Sequence, residues 1–303
     1  MATDWIWTSK DSAGVQPAIG DQLVSIDNAY LRIRNPWTVG SASSGKLYAA
    51  GLVVTVSGLT GYLLAVFVEY AVMEYSLILC LLLPVFFFVL MLALSVRFIK
   101  TRSDIIFSRF DQRVSYSDRG RVISGTWNAV IAGMLSKPEF TGTGVLVTYS
   151  LIMKMPVESV NPEMTAKRPE SLFVSTESNE PADPNVLHVA QVWEFIRLFM
   201  DEGPNKLPNP AESNWWLAPE HRIYLTPAEA WRHYVPWRNG QPNETQGKSN
   251  WLLPLWLVFL PYNMFCALCW YLACRVLNVR AAEPPVPPSS PHMPPPPHTS
   301  PAP

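Results

Sequence analysis

The side chains able to do chemistry are few, and their spacing does not assemble a reaction centre. Five histidines occur, His188, His221, His233, His292 and His298, and none falls in an HExxH pattern or beside a carboxylate at metal-ligand spacing. Cys266 and Cys269 have the CxxC spacing of redox pairs, yet both sit in an uncharged apolar run. Thiols in such a run read as small hydrophobic side chains, because reactivity needs a setting that favours the thiolate. Gly142-Thr143-Gly144 is too short to cradle a phosphate and reads as a turn into a strand. The patterns GxGxxG, GxxxxGK[ST] and GxSxG do not occur. Glu69 and Glu74 lie in a short polar link and could meet an ion or a protein partner; a solvated loop is the plainer reading. No catalytic residue, metal ligand or cofactor is expected, and no enzymatic turnover.

The elements that carry these residues are dominated by charge-free segments. The 303-residue chain has a net charge of -1, which argues against the phosphate-neutralising surface that nucleic acids require. Charged residues make up 16% of it, against about a quarter in soluble chains. All four cysteines, Cys80, Cys266, Cys269 and Cys274, fall in apolar stretches, so no disulfide framework is implied and the polar middle suits a reducing compartment. The first residues, MATDWIWTSKDSAGV, contain no uninterrupted apolar run, and no secretory leader is expected.

Leu47–Val68 and Tyr75–Val96 are each uncharged over about 22 residues, where roughly 20 suffice for a membrane helix. Gly51, Gly58 and Gly61 would allow close approach of a neighbouring helix. Pro84 predicts a kink that a membrane helix tolerates. Only six residues separate the runs, so they must form an antiparallel hairpin. Arg32, Arg34 and Lys46 precede the hairpin and Arg97, Lys100, Arg102 and Arg109 follow it, while the link is acidic. Positive charge flanking spans marks the cytoplasmic side, so the N-terminus and the middle domain should both face the cytoplasm. The cations after the hairpin could also touch anionic headgroups, although topology already accounts for most of them.

A third uncharged run, Trp251–Cys274, contains Pro254, Pro261 and Asn263. It reads as a kinked span, with Trp251, Trp256, Trp270 and Tyr271 partly as interfacial anchors. The alternative is a re-entrant pair broken at Pro261, whose arms would fall short of the roughly 30 Å hydrocarbon core. A span would place Arg275 and Arg280 on the far side, against the charge rule. Residues 275–303 are Pro-rich, cannot build a core, and read as a solvated spacer with PxxP-type spacings. The expected domains are therefore a cytoplasmic segment 1–46, a transmembrane hairpin 47–96, a cytoplasmic α+β domain 97–250, a third membrane segment 251–274 and the tail.

The middle begins with short β-prone runs divided by Asp and Gly turns, at residues 105–110, 114–117 and 122–124, which predict antiparallel hairpins. Trp127 opens a segment that could be strand or short helix. The clearest strand is 144–153, and 171–175 is another. Residues 184–202 predict a helix capped by Asp183 and stopped by Gly203-Pro204. Its apolar face, which includes Val189, Trp193, Ile196, Phe199 and Met200, should pack on a sheet. His188, Gln191, Glu194, Arg197 and Asp201 should form a solvated face, with Arg197 and Asp201 paired. Thr226-Pro227-Ala228-Glu229 is a capping box opening a short helix that ends before Pro236. Trp215, Trp216, Tyr224, Trp231, Tyr234 and Trp237 surround it, either as a skirt at the membrane surface or as an ordinary aromatic core.

Several of these residues carry a resemblance. Residues 105–110, including Arg109 and Phe110, then Trp127, then Val192-Trp193-Glu194-Phe195-Ile196-Arg197, ending Met200-Asp201-Glu202-Gly203-Pro204, resemble an uncharacterised family of bacterial membrane proteins. Its members are often encoded beside type VI secretion effectors, and many are taken to be immunity proteins. The resemblance spans about Leu31 to Pro236, and its motifs are structural rather than chemical. It implies an inner-membrane immunity protein that binds a cognate toxin, with Glu69, Glu74, Trp215, Trp216, Trp231 and Trp237 as candidate contact residues. The competing expectation is a membrane-anchored adaptor whose pleckstrin-like cytoplasmic domain recruits a protein or a lipid. A transporter is disfavoured, since three spans without ionisable residues make a poor pathway unless the chain oligomerises.

Overall fold

The computed structural model describes residues 2–69, 75–140, 145–156, 170–174, 186–209, 222–238, 241–242 and 253–284. Glu74, Trp215, Trp216, His221, the Gly142–Gly144 turn, Asp183 and most of the Pro-rich tail lie outside them.

The apolar runs are helices. The first helix, α1, spans Pro36–Glu69 and the second, α2, spans Tyr75–Lys100 with Pro84 inside it. A third, α5, runs unbroken over Leu253–Val276 through Pro261, so the chain does not reverse there. Pro254 falls in its first turn, where a missing N–H costs no internal hydrogen bond. Three helices are thus long and apolar enough to cross a membrane. At 1.5 Å per residue the 34-residue α1 is about 50 Å long, well beyond the hydrocarbon thickness, so part of it must project. Its surplus is the N-terminal stretch before Lys46, which docks on protein.

The helices pack through small residues. Gly51 accepts the ring of Phe88 and Gly45 the ring of Trp270, each closer than any Cβ would allow. Gly58 and Gly61 meet nothing, so their expected role in helix contact does not hold among the described residues. Trp256 and Trp270 are buried rather than interfacial, and the Trp270 indole N–H donates to the carbonyl of Ile223. Outward, α1 shows Val54 and Leu64, α2 shows Leu83 and Phe86, and α5 shows Val258, all exposed. In water such a surface would drive aggregation; in lipid it is solvated.

The remaining described residues build two larger antiparallel sheets, a two-stranded ribbon and two further α-helices. Strands β2 (Leu23–Ile26), β3 (Tyr30–Ile33), β4 (Ile105–Ser108), β5 (Arg113–Asp118) and β6 (Arg121–Thr126) form a five-stranded meander in that order. Strands β1 (Ala2–Thr8), β7 (Ile131–Phe140), β8 (Val145–Met155) and β9 (Glu170–Val174) form the second sheet, with β1 on the outer edge of β7. Trp127–Ala129 is a 3-10 turn between the sheets, so the segment it opens is a short helix and then a strand. Helix α3, Val186–Glu202, lays Val189, Trp193, Ile196 and Phe199 on a core shared with both sheets. Helix α4, Pro227–Tyr234, carries the expected capping box: the Thr226 hydroxyl accepts from the Glu229 N–H, and the Glu229 carboxylate accepts from the Thr226 N–H. It packs Leu225, Ala230 and Tyr234 against Leu260, Met264 and Ala267 of α5.

Two features depart from the sequence-based expectations. Residues 1–46 are not a separate segment: they supply β1, β2, β3 and the first turns of α1. The sheet-bearing part is therefore discontinuous in sequence: α1 and α2 lie between β3 and β4, which pair directly with Ile33 opposite Ile105. Residues 11–20 also cross the polar face of α3. Ser12 and the Ala13 N–H donate to Glu194, and the Ala18 N–H donates to the Gln191 carbonyl. Glu194 is consequently 4% exposed rather than solvated.

Candidate functional site

Two constellations organise the described residues: an aromatic stack in the domain core and a polar joint where the helices leave the sheet. The stack begins with Trp127, placed by the 3-10 turn, and Trp193, placed mid-way along α3. Their rings lie 5.4 Å apart and nearly parallel. Trp7 of β1 stacks on the other side of Trp193 at 6.2 Å, and Phe107 of β4 meets Trp127 edge-on. The Trp193 indole N–H donates to the Asp11 carbonyl at 3.1 Å, so a ring enclosed by the core keeps its polar atom satisfied. Phe195 is buried beside it.

The α3 terminus joins this unit. Gly203 has φ +89° and its N–H reaches the carbonyls of Leu198 and Phe199, closing the helix in the left-handed region that glycine favours. The Arg109 guanidinium lies directly over it, where a Cβ would come within 2.7 Å of Nη1. The Gln112 amide ties the two ends together by donating to the carbonyls of Arg109 and Met200. Pro204 begins a 3-10 turn, and the Glu202 carboxylate pairs with Lys206. Phe110 is 70% exposed. Arg109, Trp127, Trp193, Phe195, Arg197, Gly203 and Pro204 are thus brought together as packing and capping positions, with Phe110 at the surface. Gly203→Ala is expected to lose about 1–2 kcal/mol, because the substituent both dislikes the positive φ and displaces Arg109. A lowered thermal midpoint for Gly203→Ala, with Pro204→Ala close to the parent, checks this.

Arg197 donates to both oxygens of Glu194 and to Asp201 at 2.7 Å. Burial pushes the Glu194 carboxyl up, but the bonds from Arg197, the Ala13 N–H and the Ser12 hydroxyl outweigh it, so the group sits below its ordinary value. The hydrogen bond to Glu194 raises Arg197. A carboxylate depressed in the fold stabilises it above its unfolded pKa and ceases to do so as pH falls through the folded value. Acidification below about pH 4 is therefore expected to release the 11–20 segment from α3. Protection factors at Ala13 and Ala18, taken relative to the intrinsic exchange rate at each pH, should fall there, and Glu194→Gln should already show the lower protection at neutral pH.

The joint draws in three of the flanking cations, Arg32, Arg34 and Arg102, together with Asp104, Asn35 and Asp118. Asp104, fully buried, accepts from Arg32 Nε at 2.7 Å and Arg34 Nη1 at 2.8 Å. Burial pulls the Arg34 guanidinium down and Asp104 opposes this. Asn35 accepts from the Trp37 N–H at the start of α1 and donates to the Ser103 carbonyl. Arg102 pairs with Asp118 at 2.8 Å while lying over the rings of Trp37 and Phe98. An acid following a run of cations was the available signal for Asp104, and it went unused; Trp7 was missed because its segment was read as separate.

Other candidates disperse. Glu69 ends α1. Trp231 is 54% exposed on α4, whereas Tyr234 is buried and its hydroxyl accepts from Lys46 at 2.6 Å, so the described part of the aromatic group is divided between surface and core. Trp237 sits in β10 (Trp237–Arg238), paired with β11 (Gln241–Pro242). Cys266 and Cys269 are buried between helices. Among the described residues, no three His, Cys, Asp or Glu side chains converge as a metal site would require. The arrangement can hold and present surfaces. No family model, curated protein or solved structure matches the chain.

Proposed function

We propose that this chain is a membrane-anchored immunity protein of the bacterial inner membrane, which binds and neutralises a protein toxin without turnover. The observation that carries the binding half is the joint: Asp104 clamps Arg32 and Arg34 at the point where a helical hairpin interrupts a β-hairpin. A domain joined in this way presents its surface at a fixed attitude to the bilayer, which suits capture of a partner arriving at or in the membrane. The toxin as that partner rests on the resemblance carried by Arg109, Trp127, Trp193 and Gly203.

The orientation of α5 supports the cytoplasmic placement of the domain. Lys100 at the end of α2 donates to the Leu277 carbonyl, and the Ala282 N–H donates to Arg102. The C-terminal end of α5 thus lies with that of α2, beside the sheet. Arg275 and Arg280 then share a side with Arg97 and Lys100, as the charge rule favours for a cytoplasmic face, while a full crossing by α5 in this direction would need the chain between α3 and α5 to cross as well. Co-expression with the toxin encoded beside it is the test: growth should be rescued by the full-length chain, and no rescue by any neighbouring toxin would end the immunity reading.

One observation favours the adaptor reading. Antiparallel sheets of five strands (β2 to β6) and four strands (β1, β7 to β9) are followed by helix α3, a sheet-plus-helix order that supports the pleckstrin-like reading. Crosslinking of full-length protein in native membranes should then recover one cytoplasmic partner at fixed stoichiometry in cells lacking the toxin; an empty crosslink would remove this reading.

A further inference from the structure

We propose that the exposed cations gathered where α2, α5 and the β5–β6 turn meet bind the headgroups of anionic phospholipids. Three hydrogen bonds make this rim. The Arg119 N–H donates to the Thr101 carbonyl at 2.8 Å, Lys100 Nζ to the Leu277 carbonyl at 2.7 Å, and the Ala282 N–H to the Arg102 carbonyl at 3.0 Å. They collect Arg97, Lys100, Arg119, Arg121, Arg275 and Arg280 from three separate parts of the chain, and all six are exposed. Of the nearby acids, Asp118 is engaged by Arg102, and Glu283 alone is left against them among the described residues. The rim is strongly positive on a chain whose net charge is only -1.

Apolar side chains stand among these cations. Val276 is 82% exposed, Trp37 59% and Leu277 41%. Nucleic acid would use the charge but not the greasy residues; a leaflet of anionic lipid uses both, at the depth where acyl chains meet phosphates. The position agrees, since the rim encircles the ends of helices able to cross a bilayer. Arg119 and Arg121 separate this proposal from orientation by charge. They belong to a sheet hairpin rather than to a helix flank, and the turn between them is pinned to α2 with Arg119 at φ +50°. They add two charges at headgroup level that helix insertion does not require.

This inference rests on the membrane placement proposed above and not on toxin binding. Full-length protein would be placed in nanodiscs of phosphatidylcholine alone or with phosphatidylglycerol added, and hydrogen exchange followed over Asp118–Val122. Exchange there should slow about tenfold with phosphatidylglycerol, and Arg119→Gln/Arg121→Gln should abolish the slowing. Arg232→Gln, at an exposed position of α4, should keep it. Equal exchange in the two discs, or unchanged slowing in the double variant, would overturn the proposal. Slowing by inorganic phosphate in phosphatidylcholine discs would overturn the lipid assignment in favour of a soluble anion. A chain that does not enter discs at all would overturn both this proposal and the membrane reading.

Discussion

Asp104→Ala should destabilise the protein by about 3–5 kcal/mol, the range for removing one partner from a buried ion pair. Asp104 is fully buried and holds two guanidinium groups. Their fates differ when it is removed. Arg32, whose side chain is 34% exposed, can turn to water, whereas Arg34 at 9% cannot and loses the carboxylate that faces it in the interior. The loss should therefore fall mainly on Arg34. Arg34→Met in the Asp104→Ala background should recover much of it, since an apolar replacement of the whole pair is often close to neutral. Thermal unfolding of detergent-solubilised full-length protein provides the readout, with proteolysis near Ser103 as a local probe. An Asp104→Ala midpoint within a degree or two of the parent would show that the joint does not carry the load assigned to it.

Trp193→Ala should cost a similar amount, about 3–5 kcal/mol, by a different route. The indole fills the space between Trp7 and Trp127, and its N–H satisfies the Asp11 carbonyl. Truncation opens a cavity, removes two ring contacts and leaves that carbonyl without its donor. Because Trp7 belongs to β1 and Asp11 to the segment over α3, the N-terminal residues should loosen first. Exchange of β1 amides is expected to accelerate more than exchange of β4 or β5. A drop of about 10 °C in the thermal midpoint corresponds to the expected loss for a domain of this size. Trp193→Phe should keep most of the packing while losing the hydrogen bond, and so fall between. Uniform acceleration across both sheets would contradict the local role given to Trp193.

The parts of the fold that were legible in the chain are those whose signal is local. Uncharged length predicted α1, α2 and α5, and period and caps predicted α3 and α4, down to the reciprocal bonds of Thr226 and Glu229. Strand alternation and Asp-Gly turns placed β4, β5, β6, β8 and β9 within a few residues, whereas the segment opened by Trp127 fits strand or helix equally and becomes a 3-10 turn followed by β7. The polar face of α3 misled, because Glu194 looks like any solvated helix carboxylate until the segment that covers it is known. Arg32, Arg34 and Arg102 misled in the same way: cations beside a membrane span read as topology, yet these three are spent on Asp104 and Asp118. Arg109 was grouped with them by position, but β4 carries it to the opposite end of the strand, over Gly203.

What the amino-acid order determines by itself is which segments are long and apolar enough to cross a membrane, which form helix or strand, and roughly where each begins and stops. These properties depend on hydrophobic period, length and capping within a few residues. The tertiary structure alone decided that β3 and β4 are partners across an intervening helical hairpin, that β1 and residues 11–20 close over α3, and that α5 returns its C-terminal end to the sheet. Each is a pairing between residues remote in the chain, set by burial and hydrogen-bond satisfaction summed over the whole molecule, and so it leaves no trace in any short window of sequence.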